Sequence, residues 1–298
     1  MLINGQNLAT AFRGFNTIFD DALEAAPRHS ERLAMMVTST TREQVYPFLA
    51  AAPKMREWIG ERQVHKMAAH DFAIKNNTYE LTVEVPRDDL ADDQIGAYKG
   101  LFAELGRSVA DFREELIFGL LEAGFTQNGW DGVPFFSDAH PITDATDGTV
   151  SLWSNTGGGS GTPWFLLDVS RPIRPFIWQE REEFKLTAFI NEEDPEAFRN
   201  NRFIYGVRGR GNAGFGLPQL AYASREALTP ENYAAARAAM MAYRSAGGRR
   251  LGIMPNLLVV PPTLESAGLK LLNSQLGSGG ESNEWTGTAE LLVTPWLS

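Results

Sequence analysis

The chain has 298 residues, 43% of them hydrophobic and 21% charged, which is the composition of a folded protein with a substantial core in one large domain or two moderate ones. Its formal charge of −10 opposes broad contact with nucleic-acid phosphates, because that contact is driven by basic side chains that release counterions. With no cysteine there is no disulfide framework, thiolate metal site or cysteine nucleophile, and the apolar runs are too short to cross a bilayer as a helix. The opening residues Met1–Gly5 lack the basic and apolar regions of a secretion signal. Together these features predict a protein made and used in a cytoplasm.

In chain order, Leu8, Phe12, Phe15, Ile18, Phe19 and Leu23 recur at helical spacing up to Pro27, predicting an amphipathic helix that packs on its own domain or reaches a neighbour. From Trp58 to Val85 the period changes to two, with Tyr79, Leu81, Val83 and Val85 alternating with Glu80, Thr82 and Glu84. This predicts a long hairpin, with Asn76-Asn77 as turn residues. Its mixed faces offer little core of their own. After Pro86, the acidic residues Asp88, Asp89, Asp92 and Asp93 suit the positive end of a helix. Apolar residues then recur from Ile95 to Leu121, and Gly124 is placed to cap them, predicting one helix of roughly 45 Å at 1.5 Å per residue.

A turn-rich section and a glycine-rich loop follow, then short β-type runs: "WFLLDV", "PFIWQ", "FKLTAFI", "FIYGVRG" and "LAYAS". Thr229, Pro230 and Glu231 open a further helix that Gly247-Gly248 close. "PNLLVVPP" reads as a buried strand, "LESAGLKLLNSQL" as a helix and "AELLVTPWL" as a terminal strand. The fold class is α+β, with strands clustered rather than alternating strictly with helices.

Several stretches invite a chemical reading. "YGVRGRGNAGFG" contains Gly209-x-Gly211-x-x-Gly214, the spacing of a dinucleotide-binding turn. That turn needs a helix opening at the third glycine, and here Phe215-Gly216-Leu217-Pro218 follows. Arg208 and Arg210 do not restore the missing dipole, so a bend or bulge between strands is the better reading. "GGGSGT" at 157–162 lacks the lysine of a phosphate loop and reads as a surface loop. Ser137, Asp138 and His140 are too local for a triad. The other histidines, His29, His65 and His70, have no metal-ligand spacing, so "SDAH" reads as a turn before Pro141. Glu57, Glu61 and Glu180 are possible acid/base groups, but each stands beside Trp and Arg in "REWIGERQ" or "WQEREE". Trp and Arg are enriched where subunits meet, which favours assembly over catalysis. Lys66 and Lys75 in the hairpin read as surface residues.

The phrases "PKMREWIGER", "VEVPRDDLADDQIGAY", "FGLLEAGF", "PFFSDAHP", "WFLLDVSRPIRPFIWQERE", "YGVRGRGNAGFG", "ENYAAARAAM", "LLVVPPTLE" and "AELLVTPWL", in this order, closely resemble the major head subunit of Mu-like tailed phages, the gpT family. The resemblance runs nearly end to end. It implies an α+β chain with the Hong Kong 97-type capsid fold: an N-terminal arm and lead-in at 1–55, an E-loop hairpin at 56–86, a spine helix at 87–125, and the rest of the peripheral domain plus the axial domain at 126–298. It implies a structural protein that is not an enzyme and has no catalytic, metal or cofactor site. Copies would form hexamers and pentamers of an icosahedral head around double-stranded DNA, without sequence-specific binding and without a membrane. Its implied partners are a separate scaffold and protease, a portal and a decoration protein, in the virion and, during assembly, the host cytoplasm.

Read with that resemblance, the candidate subunit-interface residues are Phe12, Phe15, Arg56, Trp58, Arg62, Phe72, Tyr79, Trp178, Glu180 and Arg181. A cellular nanocompartment shell of the same fold is the alternative. A nucleotide-dependent enzyme using the Gly209–Gly214 loop is the alternative of another class.

Overall fold

A computed structural model describes residues 2–46, 72–92, 95–143, 148–191, 193–245, 248–277 and 280–298. The first helix, α1 (Gly5–Ala25), starts where the Asn4 side chain accepts a hydrogen bond from the Asn7 N–H at 2.8 Å. It lies along the long helix α4 (Ile95–Ala123) of the same chain. Leu8, Phe15 and Phe19 are buried there, and Phe15 stacks on Phe102 with ring centroids 4.1 Å apart. Gly106 of α4 permits the close approach, since a Cβ there would strike the Phe19 carbonyl. Of the two fates open to this helix, packing at home is the one observed. Its buried stripe is Leu8, Ala11, Phe15 and Phe19.

Between these helices come α2 (Ser30–Leu33), β1 (Ala34–Thr38), β2 (Glu43–Val45), β3 (Ala73–Lys75), β4 (Asn77–Pro86) and α3 (Arg87–Ala91). The hairpin expected at 56–86 takes a different form in its described part. β2 and β3 pair as a short ribbon, while β4 pairs antiparallel with β10 (Arg202–Phe215) over its whole length. Asn76 is not a turn residue. It is buried, its amide nitrogen donates to Ser39 Oγ and the Thr41 carbonyl, and its Oδ1 accepts from Gln179 Nε2 at 2.7 Å. Residues 47–71, and with them Arg56, Trp58, Arg62 and Lys66, lie outside the described residues. The acidic residues Asp88 and Asp89 occupy the first turn of α3 rather than of the long helix.

The remaining elements are β5 (His140–Thr143), β6 (Val150–Trp153), β7 (Thr156–Gly159), β8 (Trp164–Leu167), β9 (Phe176–Phe189), α5 (Pro195–Asn200), β11 (Ala221–Arg225), α6 (Pro230–Ala242), β12 (Leu257–Val260), α7 (Glu265–Leu272) and β13 (Glu290–Val293). "PFIWQ" and "FKLTAFI", expected as separate runs, are one 14-residue strand, β9. Two helices stop earlier than their sequence signals. Tyr243 leaves α6 to bury its ring against Trp153 and donate to the Ser154 carbonyl at 2.9 Å. The Asn283 amide caps α7 by donating to the carbonyls of Lys270, Leu271 and Ser274.

The strands make two main sheets among the described residues. One has the order β1-β9-β10-β4, and the other β13-β12-β8-β11-β7. In the first, Phe184, Leu186, Phe203, Tyr205 and Val207 face α1 and α4, while the alternate residues carry charge outwards. In the second, every residue of β8 and β12 is buried. Phe165, Leu167 and Val259 join the core shared with the helices α1 and α4. Trp164, Leu166 and Leu258 face Tyr233, Ala236, Met240, Leu271 and Leu272 of α6 and α7. Apolar cover on both faces is why "WFLL" and "LLVV" do not alternate.

Candidate assembly surfaces

Gly209, Gly211 and Gly214 stand inside β10, and the glycine spacing marks strand contacts rather than a ligand turn. A Cβ on Gly209 would meet the Phe184 ring at 2.5 Å, and one on Gly211 the Gln179 carbonyl oxygen at 2.6 Å. A Cβ on Gly214 would collide with Ile74. The ladder to β9 shifts register between Arg208 and Gly211, so the expected bulge is present. None of the three glycines has a positive φ, and the requirement is for space, not for an unusual backbone. The nucleotide reading is thereby corrected: no helix begins there, and the strand's neighbours fill the room a pyrophosphate needs. Beside the bulge, Glu182 receives Arg208 at 2.5 Å and Arg210 at 3.0 Å. Arg210 and then Arg208 hold its carboxyl below the usual range.

The interface candidates on β9 are mostly engaged at home. Trp178 is 0% exposed, with the Arg113 guanidinium 5.1 Å from its ring centroid. Arg113 also pairs with Glu180 at 3.2 Å, and Arg181 donates to the Ser39 carbonyl at 3.2 Å. Trp and Arg adjacency therefore ties β9 to α4 and β1. Trp178 and Phe15, at 0% and 1% exposure, are buried within their own chain. Phe12 is half-buried beside Tyr205, Tyr79 packs edge-on against Phe112, and Phe72 is half-buried beside the β2–β3 ribbon. Within "QEREE", Glu180, Arg181 and Glu182 each engage another part of the chain, and the strand runs through the charged residues without a break.

"SDAH" is neither triad nor metal pair. His140 is fully buried and stacked on Trp153 with centroids 4.4 Å apart. Its Nδ1 lies 2.6 Å from Asp131 Oδ2, and its Nε2 lies 3.0 Å from Asn155 Oδ1. Asn155 Oδ1 also accepts from the Ser137 N–H at 2.9 Å, while its Nδ2 donates to the Phe135 and Pro218 carbonyls. The cluster pins the loop after α4 to the second sheet, where buried polar groups must be mutually satisfied. Sequence reading missed Asp131 and Asn155, and took His140 for a turn. Among the described residues no three His, Cys, Asp or Glu side chains could hold a metal.

Some apolar side chains are left uncovered. Phe189 and Phe198 are exposed where β9 passes through α5 into β10, and Val150 and Leu152 are exposed on the β5–β6 ribbon. A groove of about 260 Å³ runs between α1 and the first turns of α4.

A long helix flanked by a sheet of two 14-residue strands, joined to a second sheet under short helices, is an arrangement with solved counterparts. The chain superposes on a chain of the procapsid of bacteriophage JBD30 with a TM-score of 0.88 and 38% identity, over 99% of this chain and 100% of that one. It superposes on a chain of the capsid of that phage decorated with minor capsid protein trimers with a TM-score of 0.77 and 28% identity, over 93% of each. The fold is that of tailed-phage major capsid proteins, the Hong Kong 97-type. In sequence the chain is 38% identical over 305 residues to the major capsid protein of Escherichia phage Mu, covering all of both. The model of the Mu-like prophage major head subunit gpT family matches residues 8–297, and the chain belongs to that family.

Proposed function

We propose that copies of this major head subunit form hexamers and pentamers that close into an icosahedral shell around double-stranded DNA. The observation that carries this reading is the full-length superposition on a procapsid chain. Around it, the residues that invited a chemical role, Gly209, Gly211, Gly214, His140 and Glu180, are engaged in packing, which supports a structural role without catalysis. The four-stranded sheet with α1 and α4 serves as the peripheral domain, and the five-stranded sheet with α6 and α7 as the axial domain. Arg56, Trp58 and Arg62, with the exposed edges of Phe12, Phe72 and Tyr79, serve contact between copies.

A specific heterologous interface buries on the order of 1,600 Å², and extended segments supply much area per residue. The scaffold and protease, the portal and a minor capsid protein are the partners, met in the host cytoplasm before the shell becomes part of the virion. The net charge of −10 suits a wall that does not hold DNA by its phosphates. A strongly basic inner surface in an assembled shell would contradict that last point. The reading as a whole is tested by expressing the chain with and without the scaffold protein and imaging the product by negative stain. Closed, uniform shells are expected, and a product that stays monomeric under both conditions refutes it.

A further inference from the structure

The turn between β9 and β10 is built to hold an aromatic ring in solvent. Phe198, on α5, is 84% exposed, yet the turn beneath it is firmly braced. Asn201 takes the left-handed conformation at φ 52°, donates its N–H to the Ala197 carbonyl at 3.2 Å, and accepts from the Arg87 N–H at 2.9 Å. Its side chain donates to Asp88 at 2.8 Å, and Arg202 pairs with both Glu196 and Glu84. A braced apolar knob has little ordering entropy left to lose on contact. A ring so exposed gains nothing for the fold of its own chain.

The groove between α1 and α4 is the matching hollow. Ala11, Gly14, Phe15, Ile18 and Ile95 line it, with Lys99 on its rim. Arg13 reaches Thr10, another of its lining residues, at 3.2 Å. A Cβ on Gly14 would meet nothing within 4 Å, so there is open space at that point of the groove. The rim is cationic through Lys99 and Arg13, whereas the turn ahead of Phe198 carries Glu193, Asp194 and Glu196. The knob is braced by α3 through Asp88, and the groove is bordered by Ile95 and Lys99 in the first turns of α4, the next helix in the chain. They nevertheless do not meet within one chain.

Resting on the shell reading above, we infer that Phe198 of one copy seats in the α1–α4 groove of an adjacent copy, with the acidic turn facing Lys99 and Arg13. Unlike patches meeting in this way form a heterologous contact, the kind that generates rings of identical copies.

The absence of cysteine makes the test clean. Shells carrying both Gly14→Cys and Phe198→Cys, oxidised and run without reductant, should give a ladder of covalent multimers that reductant collapses. Shells carrying either change alone should remain monomeric on the gel. Cross-linking by Phe198→Cys alone would mean that like turns meet each other, and overturns the pairing. Uncross-linked double-variant shells overturn it too. Gly14→Leu adds a side chain where a Cβ meets nothing within 4 Å and extends it over the groove, so it should unfold at the same temperature or higher and yet lose shells. Normal shells from Gly14→Leu also overturn the pairing. If the unaltered chain forms no shells, the shell reading fails first, and that result is distinguishable from all of these.

Discussion

The two sheets bury apolar surface in different ways, and the contrast separates what makes the fold from what remains for assembly. The five-stranded sheet is covered on both faces, with β8 and β12 buried throughout. Its central strands are the interior of the molecule. The four-stranded sheet is covered by α1 and α4 on one face, and on the other the β2–β3 ribbon covers only the part around Ile177, Gln179 and Gly214. Its outer face carries Arg202, Arg208, Arg210, Glu182 and Lys185, and its far turn carries the exposed Phe198. Stability should therefore be concentrated in the five-stranded sheet and contact between copies in the four-stranded one.

The sharpest way to break that contrast is to cut the two-sided sheet. Phe165→Ala removes a ring that meets both Phe125 and Phe136, and by the usual cost of an aromatic cavity it should lose about 3–5 kcal/mol in equilibrium urea unfolding. A loss below about 1 kcal/mol would mean this sheet is not the interior described. Next is the close strand contact in the four-stranded sheet. Gly211→Ala sets a methyl 2.6 Å from the Gln179 carbonyl oxygen and should cost about 1–3 kcal/mol, read from the same measurement. Gly14→Ala is its opposite. It sits mid-helix with open space around it, so it should gain roughly 0.5–1 kcal/mol.

The smallest effect lies on the charged outer face. Arg210 and Arg208 depress the Glu182 pKa below its ordinary 4.5, so the contribution of this carboxylate is present above that pH and lost as pH falls through the depressed value. Glu182→Gln should therefore differ from the parent by a constant amount at neutral pH. The difference should shrink on acidification in urea midpoints measured from about pH 6 to pH 3. A difference that grows on acidification would mean the arginines do not hold this group.

The legible parts of the sequence were those whose cause is local. The 3.6-residue period exposed α1 and α4, and unbroken apolar runs exposed β8 and β12. Remote causes were not legible. The need for Gly211 and Gly214 comes from Gln179 and Ile74, far away in the chain, and a glycine spacing alone resembles a nucleotide turn. The continuity of β9 through Glu180–Glu183 depends on Arg113, Arg208 and Arg210. His140 is explained by Asp131 and Asn155, which arrive from neighbouring loops. The destination of α1 could not be read from its stripe, because an apolar face fits its own α4 as well as a neighbour's. The resemblance to Mu-like head subunits settled the fold class where periodicity stopped, since many phrases in one order constrain more than any single motif. The assembly contacts were least legible of all, because their second half lies on another copy.

The central claim is that the chain completes its fold alone and uses what is left over to build a shell. A deletion tests it most directly. Tyr46 and Phe72 are held together, with the Tyr46 N–H donating to the Phe72 carbonyl at 3.0 Å, and the buried Ile74 and Asn76 lie just beyond Phe72. Removing only residues 50–68 and closing the gap with a short glycine linker spares both. With the scaffold protein present, the shortened chain should unfold at the same urea concentration as the full chain and form no shells under the microscope. Shells of normal size and yield from the shortened chain would contradict the account.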